Sequence, residues 1–231
     1  DGRNFETLLK NADIAMYRAK ARQLATYEFY DPGMNAAAVE RMTMEQSLRQ
    51  ALAEQRLHLL FQPQVHLGTG QWVSVEALVR WNRPEGGGLS PAQFIPLAEE
   101  CGLIHSLGAF VLRESCRSAQ RWRSAGLDIP VAVNVSPLQF RNPKFFQSVV
   151  ESLEETGLPA RYLEIEITEN AMMHDNEFSL GLLRKLSERG VGLAIDDFGT
   201  GYSSLGLLNR VPIDKLKIDR SFVQNLAFHS D

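Results

Sequence analysis

The stretch Val191-Gly-Leu-Ala-Ile-Asp-Asp-Phe-Gly-Thr-Gly201 places two adjacent acidic residues directly after an apolar run. The apolar run predicts a buried strand of a parallel sheet, because such strands are almost continuously apolar. Ionised Asp196 and Asp197 at its end must stay solvated, pair with cations or bind a metal ion. Gly199 and Gly201 allow the following loop to bend and to approach a ligand closely. The stretch is equally compatible with an acidic turn in which Asp197 is the N-cap of the next helix.

From Leu57 onward, strand and helix patterns alternate, which is typical of βα units around a parallel sheet. The segment His66–Gln71 is too short for a crossover helix, so the first two strands are expected to form an antiparallel hairpin. Ser90-Pro91-Ala92-Gln93 predicts a helix start, and Gly190 predicts the end of a helix that begins near Glu177. The six predicted strands are Leu57–Val65, Trp72–Trp81, Pro130–Val135, Tyr162–Thr168, Gly192–Asp197 and Ile213–Ile218.

The composition favours one main domain and excludes several classes of protein. The chain has 231 residues and is 44% apolar, and α/β barrels of about 200 to 250 residues often form a single domain. The net charge of -4 offers no basic surface for a DNA or RNA duplex. Two cysteines are too few for a disulfide framework, and no Cys/His group has zinc spacing, so a reducing cytoplasm is the expected setting. No apolar run is long enough to cross a membrane, and the first residues lack the order of a signal peptide, so no membrane contact by this segment is expected.

Upstream of the barrel pattern, the sequence predicts two helices and a short strand. Residues 4–22 carry apolar side chains at helical spacing, and Tyr27, Phe29 and Tyr30 alternate as in a strand. A second amphipathic helix is expected from about Asn35 to Glu54. This helix is expected to link the upstream fragment to the main domain.

Polar residues interrupt the predicted strands near their ends, where the active sites of barrels gather. Glu76, Leu78 and Arg80 share one face of the second strand, since side chains two apart point the same way. The other interrupting residues are Asn134, Glu166, Thr168, Asp196, Asp197 and Lys217. Carboxylate and amide oxygens are the ligands that Mg²⁺ or Mn²⁺ prefers.

Each of these residues also has an ordinary structural interpretation. Glu76 fits an exposed strand face, Asn134 fits a turn, and Lys217 fits a solvated lysine with a buried stem. Considered singly, those interpretations are favoured. Considered together they weaken, because strands buried on both faces should be almost entirely apolar.

In their order and spacing, five motifs resemble the EAL domain family, the phosphodiesterases of the bacterial second messenger cyclic di-GMP. They are Glu76-Ala-Leu-Val-Arg80, Asn134-Val-Ser136, Glu166-Ile-Thr-Glu169, Asp196-Asp-Phe-Gly-Thr-Gly201 and Lys217-Ile-Asp219. The resemblance runs from roughly Met42 to the last residue. It implies a modified (β/α)8 barrel of TIM type with an antiparallel first strand, and hydrolysis of cyclic di-GMP to linear pGpG.

The resemblance also implies a role for individual residues. The expected metal ligands of two Mg²⁺ or Mn²⁺ ions are Glu76, Asn134, Glu166, Asp196 and Asp197, with Asp197 between the ions. Lys217 resembles the lysine that contacts the nucleophilic water, and Glu169 resembles a brace for the loop from Phe198 to Ser204. That loop couples metal binding to dimer contacts in the family, so a homodimer is expected. An ordinary surface acid is the alternative interpretation of Glu169. The implied substrate-binding residues are Gln62, Leu78, Arg80 and Asp219.

Two departures from the family pattern concern the ends of the sequence. An eight-stranded barrel needs about 250 residues, whereas the pattern here stops after the sixth strand, before the family's Glu-Gly-Val-Glu motif. Residues 8–20 resemble the final helix of a GGDEF diguanylate cyclase domain, without its GTP-binding loop. We therefore expect residues 1–33 to be the C-terminal remnant of a GGDEF domain, 34–54 a linker helix and 55–231 an EAL domain that is incomplete at its end.

Three functions remain open on the sequence alone. The favoured one is a metal-dependent cyclic di-GMP phosphodiesterase. The second is a catalytically inactive EAL module that binds cyclic di-GMP as a sensor or effector. The third is a scaffold that binds neither nucleotide nor metal.

Overall fold

Seven strands form one sheet in the computed structural model, which describes residues 4–21, 27–31, 33–82, 88–173, 176–199 and 211–224. The strands are β1 (Leu57–Val65), β2 (Trp72–Asn82), β3 (Gly88–Leu89), β4 (Val131–Val135), β5 (Leu163–Thr168), β6 (Gly192–Phe198) and β7 (Lys215–Ile218). Their order is β1-β2-β4-β5-β6-β7, and β3 pairs with β2. All six predicted strands are present, and the two-residue β3 is an addition that the sequence did not predict.

The sheet is parallel except at its beginning. β1 and β3 pair with β2 in antiparallel orientation. β2, β4, β5, β6 and β7 are joined by parallel pairing. The predicted hairpin is therefore confirmed, and the arrangement fits a TIM-type barrel truncated after its sixth main strand.

Helices connect most of these strands, as the alternating pattern predicts. The described helices are α1 (Phe5–Ala21), α2 (Gly33–Ala53), α3 (Pro91–Glu100), α4 (Ile104–Ser124), α5 (Pro137–Phe140), α6 (Phe145–Thr156), α7 (Glu169–Met173), α8 (Asn176–Glu188) and α9 (Arg220–Gln224). Of these, α1 and α2 precede the first strand and α9 follows the last described one. The amide of Ser90 donates to Gln93 Oε1 at 3.0 Å, which confirms the predicted start of α3. Gly190 follows α8 with a φ of 87°, the left-handed conformation that a glycine C-cap adopts. None of the described helices combines the length and the apolarity that crossing a bilayer requires.

The two faces of the sheet differ in polarity. Along β2, Val75, Ala77, Val79 and Trp81 are buried, whereas the residues between them are only half-buried. The Trp81 ring packs edge-on against Phe94 of α3, with centroids 5.7 Å apart. The half-buried alternate positions, which include Glu76, lie on the opposite face, so that face is open to a polar site.

The chain divides into two compact units, residues 1–53 and 54–231. The first contains α1 and α2, and the second contains the sheet. The predicted strand at Tyr27–Tyr30 is wrong, because residues 27–31 form no strand. The other described residues of this unit are almost all helical, and a strand needs a partner to satisfy its backbone hydrogen bonds.

Three strands begin later than predicted: β4 begins at Val131 and not at Pro130, and the shifts of β5 and β7 have local causes. Residues Ala160–Tyr162 form a 3-10 turn, so β5 begins at Leu163. The Ile213 amide donates to the Val211 carbonyl at 2.9 Å in a tight turn, so β7 begins only at Lys215.

Candidate metal centre

Three acidic side chains from three strands converge on the polar face of the sheet. Glu76 of β2, Glu166 of β5 and Asp196 of β6 each place one carboxylate oxygen within 4.8 Å of the others. Parallel register explains the convergence, since Thr168 lies beside Asp196 and Asn134 lies beside Glu166. We call Glu76, Glu166 and Asp196 the acidic triad.

The ammonium group of Lys217 binds all three members of the acidic triad. Its Nζ lies 2.6 Å from Glu166 Oε2, 2.8 Å from Asp196 Oδ2 and 3.3 Å from Glu76 Oε2. One positive charge therefore faces three carboxyl groups. This excess of negative charge at close range favours a further cation, and the all-oxygen donor set fits a hard divalent ion.

Burial and neighbouring charges shift the proton affinities of the site. Burial raises the pKa of Glu166 to about 7 against the opposing effect of Lys217, and the carboxylates of Glu76 and Asp196 raise it further. Burial would lower the pKa of Lys217, but its hydrogen bonds to Asp196 and Glu166 outweigh this effect and raise the pKa. In the metal-free protein, Lys217 is thus charged at neutral pH, whereas the Glu166 carboxyl holds its proton part of the time.

Asn134 adjoins the acidic triad through Glu76. Its Nδ2 donates to Glu76 Oε1 at 2.6 Å. This donor leaves the Asn134 amide oxygen as the end of the side chain that can bind a cation. Asn134 is exposed, in agreement with a position at the rim of the sheet.

Asp197 differs from the acidic triad in backbone and exposure. Its φ is 53°, and the pairing of β6 with β7 is irregular between Ile195 and Phe198. The Asp197 side chain is exposed, and desolvation and the charges of Asp196 and Asp219 raise its pKa. Its left-handed backbone is not the extended conformation of an N-cap, and Phe198 still belongs to β6, so the N-cap interpretation is wrong.

Glu169 is buried, which contradicts its interpretation as an ordinary surface acid. It is the first residue of α7, and its Oε2 accepts a hydrogen bond from the Gly199 amide at 3.2 Å. Glu169 therefore holds the start of the loop that follows Asp196 and Asp197. The remainder of the predicted loop, from Thr200 to Ser204, lies outside the described residues.

The four residues predicted to bind substrate occupy two places. Gln62 of β1 is exposed and lies opposite Glu76 in the antiparallel register, so the two share a face. Leu78 and Arg80 lie on that same face, and Arg80 Nη1 donates to the Val79 carbonyl at 2.9 Å.

Asp219 follows β7, and its Oδ1 accepts from the amide of Ser221 at 2.8 Å and from the Ser221 hydroxyl. Both hydrogen bonds lower the pKa of Asp219, and the bond from the Ser221 hydroxyl has the larger effect. Asp219 therefore caps the start of α9.

A second polar layer below the acidic triad was not predicted. It comprises Gln64, Ser74, Glu164 and Lys215, which lie two residues from Gln62, Glu76, Glu166 and Lys217 on the same strands, and we call it the lower polar layer. The signal was present in the sequence, because Glu164 and Lys215 stand two residues before Glu166 and Lys217 and must share their face.

Known proteins resemble this chain in sequence and in structure. The family model of the EAL domain matches residues 45–231. MucR of Pseudomonas aeruginosa, a bifunctional diguanylate cyclase/cyclic di-GMP phosphodiesterase, is 45% identical over 232 residues, which are 100% of this chain and 34% of that protein. NbdA of the same organism, a cyclic di-GMP phosphodiesterase, is 42% identical over 98% of this chain and 29% of that protein. The chain thus spans about a third of the length of these relatives.

A solved structure also resembles this chain over most of its own length. It is that of the PaMucR phosphodiesterase in complex with c-di-GMP, with a TM-score of 0.78 and 46% sequence identity. The similarity covers 82% of this chain and 77% of that chain.

Proposed function

This chain belongs to the EAL domain family, and from that premise we propose that it is a metal-dependent phosphodiesterase that hydrolyses cyclic di-GMP to linear 5'-pGpG. The observation that supports this most is the convergence of the acidic triad around Lys217. Similarity to MucR and NbdA agrees with the same activity. We place the activity in a reducing cytoplasm, consistent with the unpaired state of Cys101 and Cys116.

The proposed cofactor is a pair of Mg²⁺ or Mn²⁺ ions. The acidic triad, Asn134 and Asp197 would hold them, and all five side chains offer oxygen donors. When bound, such ions lower the pKa of a water molecule and neutralise charge on the attacking and leaving oxygens at phosphorus. Glu166 would have to be ionised to hold an ion, so binding would require this buried carboxyl to release the proton that it holds in part at neutral pH.

The other residues act on water and substrate. To the Lys217 ammonium, which contacts all three members of the acidic triad, we assign the orientation of the attacking water and the stabilisation of negative charge as it develops. Arg80 supplies a positive charge on the same face for a phosphate of the substrate. Gln62 and Leu78 extend that face with an amide and an apolar side chain, which suits a nucleotide. We include Asp219 among the substrate contacts on the basis of the family resemblance.

Glu169 positions the metal centre by fixing the Gly199 amide, two residues beyond Asp197. We further propose that the domain acts as a homodimer, coupled to the metal centre through this loop. Light scattering of the purified protein checks the dimer, and a monomeric mass at working concentration would contradict it.

The upstream residues support a tandem arrangement. We propose that residues 1–33 are the end of a GGDEF domain and that 34–54 link it to the EAL domain. The helix α1 exposes Phe5, Leu9 and Met16, which a terminal helix of a larger domain would bury. Alignment of the whole chain with the bifunctional MucR agrees with this order. Sequencing the parent gene upstream checks it: a GTP-binding GGDEF loop is expected there.

The activity is tested with purified protein, cyclic di-GMP and Mn²⁺ or Mg²⁺, with products separated by chromatography. We expect pGpG with metal and none after EDTA treatment. Glu76→Gln should reduce the rate at least about 100-fold, the upper end of the loss seen when a partner of a metal ligand is removed. Glu155→Gln is the matched control, since Glu155 pairs with Arg113 on the surface. Tight binding of cyclic di-GMP without hydrolysis would instead identify a sensor module.

A further inference from the structure

The lower polar layer forms one connected network that reaches the acidic triad. Lys215 Nζ donates to Glu164 Oε1 at 2.7 Å and to Gln64 Oε1 at 3.2 Å. The Ser74 hydroxyl donates to the same Gln64 oxygen at 2.6 Å. Gln64 Nε2 in turn donates to Glu166 Oε1 at 3.5 Å. Gln64 is therefore the link between the two layers.

The orientation of the Gln64 amide follows from its partners. The Lys215 ammonium has only donors, so it must face the amide oxygen of Gln64 and not the amide nitrogen. Ser74 is buried and is the cross-strand partner of Gln64, and its hydroxyl reinforces the same choice. The NH₂ end of Gln64 is thereby directed to Glu166.

Glu166 is consequently held at both carboxylate oxygens. Its Oε2 accepts from Lys217 at 2.6 Å, and its Oε1 faces Gln64. The side chain of Glu166 has 0% exposure, so water is not available to replace either partner. A carboxylate fixed on both sides cannot rotate freely away from the remaining acids.

Charge also suits this arrangement. Lys215 is paired with Glu164, so the lower layer presents a neutral amide to the acidic triad and not an additional cation. A neutral donor orients Glu166 without repelling a metal ion, whereas an ammonium group in the place of Gln64 would repel it.

We propose that Gln64 is a positioning residue of the metal centre: fixed by Lys215 and Ser74, its amide holds the Glu166 carboxylate in the orientation that binds the ion. This inference rests on the proposed function, because it assumes that the acidic triad binds a metal. Outer hydrogen-bond partners of metal ligands commonly contribute 10- to 100-fold to metal affinity.

The test compares Gln64→Met, which keeps the length of the side chain and removes the amide, with the wild type. The matched control is Gln147→Met, because the Gln147 amide donates to the exposed Glu151 carboxylate at 3.1 Å, away from the metal centre. Three quantities are measured: Mn²⁺ affinity by electron paramagnetic resonance of the free ion, Tm in EDTA, and cyclic di-GMP affinity in EDTA.

We expect Gln64→Met to weaken Mn²⁺ binding by about tenfold or more, with cyclic di-GMP affinity in EDTA unchanged and Gln147→Met equal to the wild type. Mn²⁺ affinity within twofold of the wild type would overturn the inference, and so would an equal loss of nucleotide affinity in EDTA, since that would indicate a general distortion. If Gln64→Met does not fold, Ser74→Ala decides: a loss of roughly two- to fivefold supports the inference, and an unchanged affinity overturns it. If the wild type binds no Mn²⁺, the proposed function itself is overturned. If the wild type binds Mn²⁺ and Gln64→Met binds it with the same affinity, only the role of Gln64 is overturned.

Discussion

Replacing Lys217 with methionine removes the ammonium group that binds Glu76, Glu166 and Asp196 in the metal-free protein. Three carboxyl groups with oxygens within 4.8 Å of one another then lose their common partner. Removal of one partner of a buried ion pair costs about 3 to 5 kcal/mol. The Lys217 side chain is 22% exposed, so we take the lower end, about 3 kcal/mol. For a domain of this size, that corresponds to a Tm lower by about 6 to 12 °C.

The assay is thermal unfolding followed by circular dichroism at pH 8, in EDTA and in saturating Mn²⁺. In EDTA the Tm of Lys217→Met should fall by the stated amount. In Mn²⁺ the gap to the wild type should narrow, because bound cations restore positive charge among the carboxylates. Lys185→Met on the exposed surface of α8 is the matched control and should leave the Tm unchanged. An unaltered Tm of Lys217→Met in EDTA would refute the view that Lys217 balances the acidic triad.

Three further predictions concern other parts of the structure. The pKa of about 7 for Glu166 lies above its ordinary 4.5, so the folded metal-free protein holds this proton more tightly than the unfolded chain. The free energy of unfolding of the metal-free wild type should therefore fall by at most about 3 kcal/mol as the pH rises from about 4.5 to 7. In thermal melts in EDTA, Glu166→Gln should not show this loss of stability with rising pH. Gly108→Ala should lower the free energy of unfolding by about 1 to 3 kcal/mol in urea titrations, because a Cβ there would lie 1.7 Å from the buried Gln139 Nε2; an unchanged midpoint would contradict this packing. Burial raises the pKa of the Cys116 thiol to about 12, so a thiol reagent at pH 8 should modify half-buried Cys101 first, and equal rates would count against that assignment.

Much of the fold could be predicted because the sequence signals were local. Six of the seven described strands follow from runs of apolar residues, and the hairpin follows from the short segment between β1 and β2. The strand at Tyr27–Tyr30 failed for a reason that local pattern cannot reveal, since alternation favours a strand only where a neighbour supplies hydrogen bonds. The two-residue β3 is too short to leave a periodic pattern.

Part of the candidate site could likewise be predicted. The rule that the carboxyl ends of parallel strands share one edge predicted that Glu76, Glu166 and Asp196 would lie together, and they do. Their role as metal ligands stays a prediction. The different position of Asp197 depends on its left-handed backbone and on the irregular pairing after Ile195, neither of which has a clear sequence signal. The link from Gln64 to Glu166 joins residues 102 positions apart, so it required the register of the strands.

The reversed direction of β1 has a consequence for how the domain is attached. Leu57 pairs with Trp81 and His58 pairs with Arg80, so β1 begins beside the end of β2. In a uniformly parallel sheet, the first strand would begin at the far edge, remote from the carboxyl ends of its neighbours. Here the polypeptide enters the sheet on the same side as Arg80. A displacement of the backbone at residue 54 would therefore act first on the edge of the sheet where the nucleotide is proposed to bind. The opposite edge, at the amino ends of the parallel strands, would be affected last.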